Sequence, residues 1–83
     1  MPKSKLFTEK FASEYEKLDK SLKIRVGKAI QKIIDKPELG KPLMYSFAGL
    51  RSERVGKFRI IYEEKGNSII FHMFEHRKKV YRK

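Results

Sequence analysis

The stretch RSERVGKFRIIYEEKGNSIIFHMFE, residues 51–75, decides the fold. It holds three runs rich in β-branched and aromatic residues, broken at Gly56-Lys57 and at Lys65-Gly66-Asn67. Turns this short, built on glycine and asparagine, join antiparallel strands. Alternation along a strand then assigns the faces. In the middle run Phe58, Ile60 and Tyr62 share one side, while Arg59, Ile61 and Glu63 share the other. In the first run Ser52 and Arg54 alternate with Arg51, Glu53 and Val55. In the last, alternation turns Ile69, Phe71 and Met73 toward a core and Ile70, His72, Phe74 and His76 away from it.

Upstream, the period changes from two to that of a helix. Phe11, Tyr15 and Leu18 recur on one helical face opposite Lys10, Glu14 and Lys17, with Thr8 placed as an N-cap and Glu9 in the first turn. Asp19 caps a second helix running to about Asp35, whose buried stripe is Leu22, Val26, Ala29, Ile30 and Ile33. Pro37 ends it, because the residue before proline is pushed out of the helical region. The link at Leu18-Asp19 is short enough to make a helix hairpin. Leu6-Phe7 can close a brief edge strand. Residues 38–49, with Gly40, Pro42 and Gly49, read as loop, and Leu43, Tyr45 and Phe47 tuck beneath the sheet or add a short extended piece. The expectation is one α+β domain spanning residues 1–83, with an N-terminal helix hairpin packed on one face of a small, mainly antiparallel sheet.

Composition sets outer bounds on function. A chain of 83 residues supports one modest core, and 40% hydrophobic content with six phenylalanines and four tyrosines argues for a folded globule. The absence of cysteine excludes disulfides and zinc-thiolate sites. No long apolar run and no leader pattern follow Met1, so a cytoplasmic protein without a membrane partner is expected. The formal charge of +11 favours a polyanionic partner, most often nucleic acid. A solvated lysine-rich surface and an acidic protein partner stay open beside it.

Arginine is segregated. Arg25 is the single arginine of the first fifty residues, whereas Arg51, Arg54, Arg59, Arg77 and Arg82 belong to the sheet and basic tail. Arginine holds phosphate in a planar fork and stabilises charge developing on phosphorus. Tyr81 and His76 add groups able to stack on bases or carry protons. Glycine-rich phosphate loops are missing, and Glu63 and Glu64, being adjacent, face opposite sides of a strand. His72 and His76 lie more than ~13 Å apart at strand rise, too far to share one metal. The structural alternative pairs Arg59 and Arg77 with Glu63, Glu64 or Glu75 and packs Tyr81 on the core.

The element order, together with KLDKS (17–21), GKPL (40–43), GLRSERVGKFRIIY (49–62) and EHRKKVY (75–81), resembles the RelE/ParE toxin superfamily, and within it the RelE-type mRNA interferases. The resemblance spans essentially the whole chain. It implies the RelE-like microbial RNase fold and the toxin of a type II toxin–antitoxin system. It further implies a ribosome-dependent endoribonuclease that cleaves mRNA in the A site and inhibits translation. The RNA 2′-hydroxyl attacks the adjacent phosphate, with no metal or other cofactor. The implied partners are a cognate RelB-like antitoxin, the ribosome and mRNA.

By position, the resemblance assigns catalytic roles to Arg54, Arg59, Arg77 and Tyr81. Arg59 holds the scissile phosphate, Arg77 acts as acid or transition-state clamp, and Tyr81 orients the nucleophile or stacks on a base. RNA and ribosome binding falls to Arg51, Lys57, Lys65, His76, Lys78, Lys79 and Arg82. Some RelE-type sequences carry lysine where Ser52 stands, so no lysine base is assigned here. Arg54 is a poor base, because a guanidinium keeps its proton in proteins, and His76 is the fallback. Two other readings accompany this one: a ParE-type toxin that inhibits DNA gyrase, and a non-catalytic relative that binds RNA or antitoxin.

Overall fold

In the computed structural model, residues 3–44 and 47–76 are described. They form β1 (Ser4–Phe7), α1 (Glu9–Glu16), α2 (Lys20–Asp35), a 3₁₀ turn (Pro37–Leu39), β2 (Lys41–Pro42), β3 (Arg51–Val55), β4 (Phe58–Lys65) and β5 (Ser68–His76). The sheet order is β1-β5-β4-β3-β2. Only the β1–β5 pairing is parallel; the other three are antiparallel. The expected helix hairpin, edge strand and antiparallel hairpins are therefore present. Among the described residues no helix is long and apolar enough to cross a membrane.

Local chemistry sets the helix ends. Thr8 accepts from the Phe11 N–H at 3.0 Å, and Asp19 accepts from the Leu22 N–H at 2.8 Å. Each satisfies one of the donors a helix start leaves without a partner. The two helices lay Phe11, Val26, Ala29, Ile33 and Ile34 against Val55, Ile60, Tyr62, Ile69, Phe71 and Phe74 of the sheet. Tyr15, Leu18, Leu22, Ile30 and Phe58 close the margins. Aromatic rings run through it: Phe11 and Phe74 stack at 4.5 Å inside, while Phe7, 48% exposed, stacks from the edge on Phe11 at 5.5 Å and on Phe71 at 5.2 Å.

The position of Phe74 corrects the alternation read along β5. Ile61 pairs with Met73, but Tyr62 pairs with Phe71, so His72 is the extra residue of a β-bulge. Past the bulge the faces exchange by one position. Phe74 lies in the core and His76 lies opposite Phe58, while Met73 and Glu75 face away from the helices. The helix hairpin holds the bulge in place. The Thr8 hydroxyl donates to the His72 carbonyl at 2.7 Å, and Glu14 Oε1 accepts from the Phe74 N–H at 3.0 Å. β1 ends at Phe7, so α1 takes over this edge of β5 and satisfies the groups that a neighbouring strand would otherwise pair.

A second lock ties the 3₁₀ turn to the sheet. The buried Tyr62 hydroxyl donates to the Pro37 carbonyl at 2.7 Å. Gly40 lies so close that a Cβ there would overlap that hydroxyl. Arg51 donates from Nη1 to the carbonyls of Gly40 at 2.8 Å and Glu38 at 3.2 Å. Burial raises the Tyr62 pKa, and the negative charge of Glu53 adds to the rise; Arg51 and the hydrogen bond at Gly40 oppose it. The unfolded phenol ionises near its ordinary value of about 10, while the folded one keeps its proton to higher pH. Its stabilisation is thus whole below that value and is lost as pH rises from there through the folded pKa. Tyr62→Phe is expected to cost about 1 kcal/mol at neutral pH, with the deficit narrowing in alkaline urea titrations. A deficit that stays constant to high pH would count against this assignment.

Candidate functional site

The helices leave one sheet face uncovered, and cross-strand register orders the residues on it. One row runs Lys41, Ser52, Ile61, Met73. The next, beside the β3–β4 turn, runs Arg54, Arg59, Glu75. A third joins Glu63 to Ile70 and Leu6, with His72 Nε2 3.0 Å from Glu63 Oε1. The middle of this face is buried. Ser52 is 6% exposed and Ile61 only 2%, so the face is less open than alternation alone suggests.

The tight turn at Gly56-Lys57 is what puts the arginines together. It closes on Val55 and Phe58, which makes Arg54 and Arg59 direct partners one step further from the turn. Side chains so opposed have Cβ atoms about 4.5–5.5 Å apart, and like charges in that relation destabilise a sheet. Glu75, opposite Arg59 on its other side, offsets part of the repulsion. Arg54 is exposed and makes no hydrogen bond or ion pair among the described residues. An anion seated between the two guanidinium groups would relieve the repulsion and meet two forks at once.

The other expected site residues separate into three groups. Lys57 sits exposed in the turn beside the arginine pair. Lys65 lies at the opposite end of β4, about 20 Å from Arg59 at strand rise, and is not part of this cluster. Arg51 and His76, expected among the RNA-binding residues, fall on the helix-facing side of the sheet. Arg51 is engaged with loop carbonyls, and the bulge moves His76 beside the Phe58 ring at 5.5 Å. Arg77, Lys78, Lys79, Tyr81 and Arg82 lie outside the described residues. Arg25, which sequence reading passed over as scaffold, brings its guanidinium against Gly56. Its isolation among the lysines of the first fifty residues was the available signal.

The family model described as ParE toxin of type II toxin-antitoxin system, parDE, matches residues 5–81. The chain belongs to this ParE toxin family. Solved structures similar to this ParE-family toxin include a chain of the RelBE2 toxin-antitoxin complex from Mycobacterium tuberculosis. That chain is 26% identical, with 93% of this chain and 100% of that one covered at a TM-score of 0.80. The YoeB/ParE toxin from Agrobacterium tumefaciens is 19% identical, covering 88% and 96% at 0.78. A chain of the RelB-RelE antitoxin-toxin complex from Methanococcus jannaschii is 24% identical, covering 92% and 94% at 0.68. No curated protein matches the chain. The fold of this ParE-family toxin is accordingly that of RelE-like toxins, with two helices on a five-stranded, mostly antiparallel sheet.

Proposed function

We propose that this toxin is a ribosome-dependent endoribonuclease that cleaves mRNA in the A site and is held inactive by a cognate RelB-like antitoxin. The observation that carries the reading is the Arg54–Arg59 pair, two like charges set opposite each other on the uncovered face. In the reaction, the RNA O2′ bonds to the adjacent phosphorus and the P–O5′ bond breaks. O2′ gives up its proton to a base, and O5′ receives one as it leaves. The first product is a cyclic phosphate. Charge accumulates on the non-bridging oxygens, where paired guanidinium groups stabilise it most. Positioning of the 2′-hydroxyl supplies the rest of the acceleration. Arg77 and Tyr81 complete the proposed set as acid or clamp and as orienting group. The base is not assigned.

The name of the matching family supports a second reading, inhibition of DNA gyrase by protein binding without RNA chemistry. ParE-type sequences generally lack the aligned arginine and terminal tyrosine, so Arg59, Arg77 and Tyr81 favour cleavage. The two readings part in one experiment. Purified toxin is added to stalled translation complexes with a codon in the A site, and the RNA ends are mapped. Cuts in codon register are expected, and Arg77→Ala and Tyr81→Phe should abolish them. Intact mRNA together with inhibited gyrase supercoiling would sink the cleavage reading.

A further inference from the structure

Behind the uncovered face, at the tip of the β3–β4 hairpin, lies an open cleft of about 270 Å³. The start of α2 and its cap form one wall, with Asp19, Ser21, Leu22 and Arg25; the turn Gly56-Lys57 and Phe58 form the other. The guanidinium atoms of Arg25 stand 3.5–3.8 Å from where a Cβ on Gly56 would be, an ordinary van der Waals distance, so the arginine reaches the turn whether or not a Cβ is there. The φ of +59° at Gly56 reserves the position for glycine.

The acids near this cleft are already engaged. Asp19 caps the Leu22 N–H, Glu16 pairs with Lys23 at 3.5 Å, and Glu53 pairs with Lys32 at 3.0 Å. Arg25 and Lys57 are both exposed, and among the described residues neither makes a hydrogen bond or ion pair. On the other side of the same hairpin, two residues from Lys57 in the chain, begins the Arg54–Arg59 row. Cations therefore continue from the uncovered face, around the hairpin tip, into the cleft.

We propose that the cleft is a second phosphate subsite, which takes the backbone of an RNA strand that bends around the β3–β4 tip from the Arg54–Arg59 row. The proposal rests on the RNA reading above and deepens it by placing a contact away from the reacting phosphate. The Arg25 fork binds the phosphate oxygens, Lys57 adds a point charge, and the Ser21 hydroxyl is a further donor. Leu22 and the half-buried Phe58 supply an apolar floor for the sugar. RNA fits better than an acidic protein segment. Protein interfaces centre on deep apolar anchors, whereas the cations here lie on both faces of one hairpin and suit a flexible polyanion.

The test is binding of a short single-stranded RNA across about 50–200 mM salt. Wild type is compared with the Arg25→Gln/Lys57→Gln double variant and with Lys28→Gln/Lys36→Gln, a charge-matched control on exposed residues elsewhere on and beside α2. The cleft variant is expected to bind roughly tenfold more weakly and to lose about 1.4 from the salt slope, two single-strand phosphate contacts' worth. Its melting temperature should stay at the wild-type value. An unchanged slope, or an equal loss in the control, overturns the subsite; so does wild-type protein that fails to bind RNA. A cleft variant that keeps RNA affinity but loses affinity for a polyglutamate peptide transfers the site to a protein partner and also overturns it. Wild type that binds through the cleft yet leaves A-site mRNA intact defeats the cleavage reading alone. Wild type that cuts, beside a cleft variant with unaltered binding, defeats the subsite alone.

Discussion

Arg59→Ala is expected to lower single-turnover cleavage of A-site mRNA by about 10²–10³-fold, the usual cost of removing one preorganised donor from a developing oxyanion. Arg59 is half-buried at the middle of the Arg54, Arg59, Glu75 row, so its fork is held by strands on both sides. Arg59→Lys keeps the charge but gives up the planar, bidentate geometry, and should recover only part of the rate. Stability ought to behave differently from rate. Removing one of two like charges relieves repulsion across the β3–β4 pair, while the Glu75 neighbour is lost, so the net change should stay within about 0.5 kcal/mol. The discriminating measurement is the rate at saturating ribosome beside a denaturant melt. A variant that cuts at the wild-type rate would remove Arg59 from the chemistry. A variant that is slow because it is partly unfolded would show a shifted melt and would say nothing for an arginine clamp.

The parts of this fold that were legible in the sequence are those settled by near neighbours. Thr8 and Asp19 cap within three residues of themselves, and the two-residue turn at Gly56-Lys57 fixes the pairing of Arg54 with Arg59 by counting outward. The illegible parts are settled from far away. The bulge at His72 depends on Thr8 and Glu14, 64 and 60 residues from the groups they bind. Nothing in the alternation of residues 68–76 announces it, since Met73 and Phe74 are both apolar and either can serve as the inward residue. Arg51 has the same character. Its position suggests one more cation for RNA, and only the approach of the Glu38 and Gly40 carbonyls shows its guanidinium to be engaged. The arginine row was visible as composition and parity. The cleft at Arg25 was not, because it needs a helix start and a hairpin tip to meet across 31 residues of chain.

Phe74→Ala and Met73→Ala are expected to have effects opposite in order to those that strict alternation implies. With the bulge in place, Phe74 stacks on Phe11 at 4.5 Å and meets Phe58 edge-on at 6.4 Å, with only 9% of its surface exposed. Its truncation removes a ring from the centre of the aromatic cluster and leaves a cavity, at a cost of about 3–5 kcal/mol. Met73 points to the uncovered face and is half-exposed, so its truncation loses mainly the packing against Ile61, about 1 kcal/mol. At 0.05–0.15 kcal/mol per residue this domain has roughly 4–12 kcal/mol in total. The first change therefore consumes a large share of it, and the second does not. Urea denaturation of the two variants under one set of conditions decides the matter. If Met73→Ala proved the more damaging, β5 would be running through residue 72 without a bulge. His76 would then return to the uncovered face beside the arginine row, and the base left unassigned in the cleavage reaction would have a candidate again.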